Sequence, residues 1–146
     1  MSMRSIVVGV DGSEKSYRAL AFSIGLAQRE SAALTVCHVR PYAQWTTLLL
    51  SSVAAVGGMT VPPAEPVETA VAHEVTAAAA DAIAGAGIDG HVLVSTGDPA
   101  TELARLARRR CADIVVIGHT RRLRSRPADL ARRLTNGFLH GLVITP

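Results

Sequence analysis

Short aliphatic runs alternate along the chain with longer segments in which apolar residues recur at helical spacing. Runs rich in β-branched residues and bounded by turn signals are typical of strands that a parallel sheet buries on both faces. Five such runs predict strands at Ser5–Val10, Ala33–Val39, His91–Ser95, Ala112–Gly118 and Gly141–Thr145.

Four segments between these runs predict helices. Two have clear starts: Ser13 can cap a helix that runs to about Arg29, and Asp98 can cap a helix with Pro99 at its first position. Their predicted inward faces are Leu20, Ile24 and Ala27 in the first and Leu103, Leu106 and Ala107 in the second. The other two predicted helices are about Glu65–Ala84 and Pro127–Thr135.

Strands that alternate with helices predict an α/β fold with a parallel, doubly wound sheet and helices on both faces. We expect one domain over residues 1–146, because the chain shows neither a repeat nor a linker. A long apolar connection, about 41–64, interrupts the pattern and predicts a cover or a partner surface. Its longest apolar stretch has 14 residues, too few for a membrane span of roughly 20 residues.

Charge is unevenly distributed. From Arg105 onward there are ten arginines and two aspartates, a net +8, whereas the preceding part has five basic and ten acidic residues, a net −5. Such asymmetry is typical either of solvated helix faces or of a site for an anionic partner. Nucleic acid is disfavoured as that partner, because no aromatic residue that could stack on a base lies near the arginines.

The two cysteines, Cys37 and Cys111, are far apart and form no CxxC motif. We interpret them as two buried free thiols in a reducing cytoplasm. The N-terminus lacks the apolar core of a secretory signal, which also predicts a cytoplasmic protein.

Ligands of open parallel sheets bind beyond the carboxyl ends of the strands. Three segments fall at such ends, namely "GVDGS" after the first strand, "HVRP" after the second and "IGHT" after the fourth. Four stretches, "IVVGVDGSEKSYRAL", "LTVCHV", "GDPATELARLA" and "ADIVVIG", make the chain resemble the universal stress protein family, from about Arg4 to Thr145.

The resemblance implies a five-stranded Rossmann-like sheet of the adenine nucleotide α-hydrolase type, and the arginine- and alanine-rich composition predicts a bacterial source. The resemblance also implies a homodimer through the last strand, Gly141–Thr145, and ATP or another adenine nucleotide as ligand. Asp11 would contact the adenosine, with Gly9 and Val10 beside the base. Val39 would line the base pocket, and Ile117 and Gly118 would lie under the ribose and phosphates. Asp11 and Gly118 could equally be an ordinary turn residue and an ordinary strand-end glycine.

The phosphate half departs from the family pattern. That pattern is glycine, two residues, glycine, nine residues, then glycine followed by serine or threonine. Here Gly118 is the first glycine and Arg121 takes the second position. The closing pair is Ala131-Arg132 by strict spacing, or Ala128-Asp129 when aligned on the last strand. An aspartate there would repel phosphates, whereas nearby arginines could bind them.

Three interpretations of this arginine-rich loop stay open: a solvated surface, a rebuilt anion site, or a docking surface for an unknown protein partner. The favoured function is a non-catalytic, homodimeric regulatory protein whose adenine-nucleotide site binds weakly or differently. The alternative is a genuine ATP-binding, slowly hydrolysing protein that uses arginines in place of the missing glycines. No catalytic residue is predicted, and the five histidines lack metal-ligand spacing, so no metal is expected. His119 is interpreted as a surface residue and Trp45 as a packing or interface residue.

Overall fold

The structure is a computed structural model that describes residues 3–40, 56–58, 65–119, 132 and 141–146. The predicted connection at about 41–64 and the predicted helix at about 127–135 lie mostly outside these residues. Both stay predictions. The single domain over 1–146 likewise stays a prediction. No helix in the described ranges is both long and apolar enough to cross a bilayer.

Five parallel strands form one sheet, in the order β3-β2-β1-β4-β5. The strands are β1 (Ser5–Gly9), β2 (Ala33–Arg40), β3 (Gly90–Thr96), β4 (Ile114–Gly118) and β5 (Gly141–Thr145). The described helices are α1 (Glu14–Glu30), α2 (Glu65–Ala86) and α3 (Pro99–Arg109). The predicted α/β fold, with a parallel doubly wound sheet and helices on both faces, is therefore confirmed.

Each face of the sheet has its own apolar core, because alternate strand residues point to opposite faces. On one face the side chains of Ile6, Val8, Leu34 and Val36 pack with Leu20 of α1 and Val75, Ala79 and Ile83 of α2. On the other face those of Val7, Cys37 and Val115 pack with Leu103 and Ala107 of α3. α1 and α2 thus cover one face and α3 covers the other.

Both predicted helix caps are confirmed. Ser13 Oγ accepts a hydrogen bond from the amide of Ser16 at 3.2 Å, and Asp98 Oδ2 accepts one from the amide of Thr101 at 3.0 Å. Pro99 occupies the first turn of α3, where its missing N–H leaves no helical bond unmade.

The predicted fourth strand begins two residues too early. Ala112 and Asp113 precede β4, and the Asp113 carboxylate accepts hydrogen bonds from the amides of Arg4 at 2.7 Å and Ser5 at 3.0 Å. The residue therefore ties the entry of β4 to the entry of β1 through its side chain.

The expectation of two buried thiols is half wrong. Cys37 is buried in the core between β2 and α3, but Cys111 is exposed. Cys111 follows the end of α3 with a φ of 47°, and this turn directs the chain back toward β4.

Candidate functional site

The winding of the sheet reverses between β1 and β4. From β1 the chain proceeds outward through α1, β2, α2 and β3, and then α3 returns it across the opposite face to β4. The carboxyl ends of β1 and β4 are direct neighbours, with Gly9 in register with Ile117. Connections that leave in opposite directions open a crevice at this edge, which is where ligands of such sheets bind.

A tight turn after β1 holds Asp11 at this crevice. Its carboxylate Oδ1 accepts a hydrogen bond from the amide of Ser13 at 2.9 Å, and its own amide donates to Ser16 Oγ at 3.2 Å. Gly12 between them has a φ of 86°, which favours glycine. The half-buried Asp11 side chain is therefore fixed by local contacts that start α1.

His38 joins the ends of β1 and β2. Its Nδ1 lies 2.8 Å from the carbonyl oxygen of Val10, and the residue is 6% exposed. Because a carbonyl accepts, Nδ1 carries the proton and donates. The backbone of Val10 is held a second time, since its amide donates to the carbonyl of Cys37 at 2.9 Å. The backbone immediately before Asp11 is thus anchored on two sides.

Gly118 lies directly against the first turn of α1. A Cβ at this position would come within 2.6 Å of the carbonyl carbon and oxygen of Lys15 and 2.8 Å of the amide nitrogen of Ser16. Backbone atoms of a packed helix cannot move aside cheaply. The approach of α1 therefore requires glycine here whether or not a ligand is present.

Side-chain packing differs among the remaining predicted site residues. Ile117 is 4% exposed in the core under α3, and Val39 packs half-buried against the same core. Gly9 leaves room for Leu103, whose Cδ1 would lie 2.9 Å from an added Cβ. The structure thus brings six of the nine predicted residues to the carboxyl ends of three adjacent strands. The other three, Arg121, Ala128 and Asp129, lie outside the described residues.

A carboxylate also lies at this end of the sheet on the α3 side. Glu102 Oε2 accepts a hydrogen bond from Ser95 Oγ at 2.6 Å, and its Oε1 lies 3.1 Å from Arg105 Nη1. The Glu102 side chain is only 13% exposed. Burial, and secondarily the charge of Glu102, raise the pKa of the Cys37 thiol to about 11. Cys37 is therefore a protonated packing residue and not a nucleophile at neutral pH.

Two cationic residues at the carboxyl edge are not among the predicted site residues. Arg40 ends β2, where its Nη2 makes a long hydrogen bond of 3.5 Å to Thr96 Oγ1. Its Nε is buried and finds no acceptor within the described part of the chain. Lys15, the only lysine in the sequence, stands in the first turn of α1 beside Gly118. A cation in the first turn opposes the helix dipole, which was the available signal for Lys15.

His119 directly follows β4 and lies on the side of this edge that faces β5. Its amide donates to the carbonyl of Thr145 at 2.9 Å and continues the pairing of β4 with β5, while the residue itself is exposed. In the ranges that the structure covers, no group of three histidine, cysteine, aspartate or glutamate side chains is placed to hold a metal ion.

The match to a family model settles the relationship of this chain to known proteins. The model described as "Universal stress protein family" matches residues 3–133. The chain belongs to the universal stress protein family. The stress response protein NhaX of Bacillus subtilis is 32% identical, and the similarity covers 77% of this chain and 78% of that protein.

Solved structures agree in fold. The universal stress protein of Archaeoglobus fulgidus in complex with dAMP has a TM-score of 0.66 at 21% identity, covering 100% of both chains. A universal stress protein family member of Arabidopsis thaliana with AMP bound has a TM-score of 0.63 at 12% identity, covering 98% of this chain and 92% of the other. At these identities the likeness concerns the fold.

Proposed function

We propose that this universal stress protein is a non-catalytic regulator that binds an adenine nucleotide through its base and ribose half and gains little from further phosphates. The observation that carries the proposal is the anchored turn at Asp11, which offers a fixed carboxylate acceptor at the crevice. The structural neighbours bound to dAMP and AMP, each with one phosphate, support this ligand class.

The residues at the positions of the family's phosphate-binding pattern are the argument for weak binding of ATP. Gly118 is accounted for by the packing of α1, so its presence is no evidence for a phosphate cradle. Arg121 replaces the second glycine of the family pattern, and neither alignment supplies the closing Gly-Ser or Gly-Thr. Without those glycines, consecutive backbone amides converge less easily on a phosphate chain.

Calorimetry with AMP, ADP and ATP tests the proposal. We expect AMP to bind at least as tightly as ATP, because the second and third phosphates find few backbone donors. Asp11→Ala should weaken binding of all three nucleotides by a similar factor, since it alters the contact to the adenosine that they share. Submicromolar affinity for ATP, or an AMP affinity unaffected by Asp11→Ala, would contradict the proposal.

A second candidate is a slow ATP hydrolase in which arginines replace the missing glycines. Arg121, Arg122, Arg124 and Arg126 in the sequence favour it, because guanidinium groups bind phosphates in place of backbone amides. Prolonged incubation with labelled ATP and magnesium distinguishes the two functions. Phosphate release clearly above that of buffer, and lost in Arg121→Ala, would establish the hydrolase.

We also propose that the protein is a cytoplasmic homodimer joined through β5. This strand ends the sheet order on one side, and Ile144 is 38% exposed. The amide of His119 donates to the carbonyl of Thr145, so alternation along the ladder directs the backbone groups of Ile144 away from β4. Such outward groups are available to the same strand of a second copy.

A further inference from the structure

The opposite edge of the sheet carries a second set of outward backbone groups. The amide of Leu34 donates to the carbonyl of Asp89 at 2.9 Å, and the amide of Gly97 donates to the carbonyl of Arg40 at 2.9 Å. Odd-numbered residues of β3 therefore pair with β2, and by alternation Val92 and Val94 direct their N–H and C=O groups outward. Among residues 3–40, 65–119 and 141–146, no strand pairs with that outer side.

This edge lacks the features that usually prevent strand addition. Exposed edge strands are commonly short or carry lysine, proline or a bulge. β3 has seven residues, GHVLVST, with no proline and no lysine, glutamate or aspartate. Val94 is 44% exposed. The strand thus has seven residues, three of them aliphatic, and its outer side is unpaired within the described part of the chain.

A groove of about 430 Å³ lies beside the first half of β3. Ile83 and Ala84 of α2 line it together with Val92 and Leu93 of β3. α2 can approach so closely because a Cβ on Gly90 would meet Ile83 Cγ2 at 2.7 Å. The groove therefore offers apolar contacts to side chains that alternate along an added strand.

Charge indicates what kind of strand would fit. Of the described residues that line this groove, Arg110 is the only lysine, arginine, aspartate or glutamate, and the exposed Arg108 and Arg109 precede it. Asp81 and Asp89 are exposed on the neighbouring elements but do not line the groove. A second copy paired at this edge would bring a second arginine cluster to the interface, whereas an acidic segment would neutralise the first.

We propose that the outer edge of β3 is a docking site for an extended, acidic segment of a partner protein, which adds to the sheet as a further strand. Backbone groups of Val92 and Val94 pair with the segment, its apolar side chains enter the groove, and Arg110 contacts an acidic side chain. This mode of recognition combines main-chain hydrogen bonds with pockets for alternate side chains. It uses the edge opposite to β5.

Three labelled peptides test the proposal by fluorescence anisotropy on the full chain. The first alternates valine and glutamate over seven residues, matching the length of β3. The second has glutamine in place of glutamate. The third is the glutamate peptide with every backbone amide N-methylated, which removes all the donors it needs for a ladder. We expect the first to bind, the second to bind about five-fold more weakly for loss of the charge contact, and the third not to bind.

Variants of the protein locate the contact. Val94→Pro removes an outward N–H without removing a bond to β2. We expect it to weaken binding of the glutamate peptide about ten-fold or more. Val94→Lys provides a second edge variant should the proline perturb folding, and urea unfolding checks both. Arg110→Glu should weaken binding of the glutamate peptide but not binding of the glutamine peptide. Arg29→Glu makes the same charge change at the end of α1 and should have no effect.

Hydrogen exchange supplies a residue-level readout. The glutamate peptide should slow exchange at the amides of Val92 and Val94, and should affect Leu93, whose amide faces β2, much less. Absence of binding at about 1 mM peptide, or equal binding by wild type and Val94→Lys, would overturn the proposal. A fall in molecular mass of the peptide-free protein on Val94→Lys would also overturn it, because a second copy would then hold this edge.

Discussion

The backbone of Lys15 lies where a side chain on Gly118 would be, with 2.6 Å between the carbonyl of Lys15 and the position of an added Cβ. A motif glycine is usually interpreted through its ligand. Here the neighbouring helix alone requires it, so the glycine is retained even if the nucleotide site has changed.

Gly118→Ala should therefore destabilise the protein in the absence of any nucleotide. Forcing an extra methyl group against a packed backbone costs about 1–3 kcal/mol. Urea unfolding of the ligand-free protein measures the free energy. Gly85→Ala is the matched control, because an added Cβ there meets nothing within 4 Å and alanine favours the helix. Equal stability of Gly118→Ala and wild type would show that α1 can move away.

Lys15→Glu should separate nucleotide affinity from stability. An anion in the first turn suits the helix dipole, so we expect the free energy of unfolding to stay constant or rise by up to about 1 kcal/mol. The same change reverses the charge of the residue whose backbone contacts Gly118, and we expect it to weaken AMP binding. Lys15→Gln should have an intermediate effect on affinity, and Arg29→Glu, at the opposite end of α1, should have none. A loss of stability in parallel with affinity would contradict a ligand-directed role.

The buried thiol of Cys37 predicts a loss of stability in alkaline solution. Its pKa is raised from 9.0 to about 11, so between these pH values the unfolded chain loses the proton while the folded chain keeps it. Because the folded state then binds more protons, the free energy of unfolding falls as pH rises, by about 2–3 kcal/mol near pH 11. Cys37→Ala should remove this contribution, which chemical unfolding at a series of pH values can measure.

The two cysteines should also differ in reactivity at neutral pH. Cys111 is exposed and should react readily with iodoacetamide, whereas the buried Cys37 should react after unfolding. Mass spectrometry of the labelled peptides reports each residue separately. Rapid labelling of Cys37 in the native protein would show that its environment opens readily.

Ile144→Lys should convert the proposed dimer to a monomer. A lysine on an edge strand disfavours pairing with another strand. Light scattering at micromolar protein gives the mass, and Val94→Lys places the same residue on the other edge as a control. A wild-type protein that is already monomeric would contradict the proposed β5 interface.

The main elements were predictable because their signals are local. Continuous aliphatic runs marked the strands, and Ser13 and Asp98 marked helix starts through bonds to residues three positions away. The beginning of β4 was not predictable in this way. Asp113 makes its bonds to Arg4 and Ser5, more than a hundred residues distant, and a pattern of neighbouring residues cannot show them.

The candidate site was predictable in position but less so in physical role. Strand ends placed Asp11 and Gly118 correctly at one edge of the sheet. That Gly118 is required by Lys15, and that Arg40 carries a buried nitrogen, depends on how helix and strand pack in space. The prediction that Cys111 is buried was wrong for a similar reason. The chain turns after α3 with a φ of 47° at Cys111, and the residue is exposed there.

The order of strands also bears on synthesis. β1 is made first and lies at the centre of the sheet, with one flank filled by the next strand to emerge and the other by β4, which starts at Ile114. Ribosomes add about 5–20 residues per second. A nascent chain can therefore assemble β1, β2 and β3 while the second flank of β1 waits several seconds for its partner. During that interval the centre of the future sheet is itself an open edge, where we expect chaperone binding or aggregation to begin.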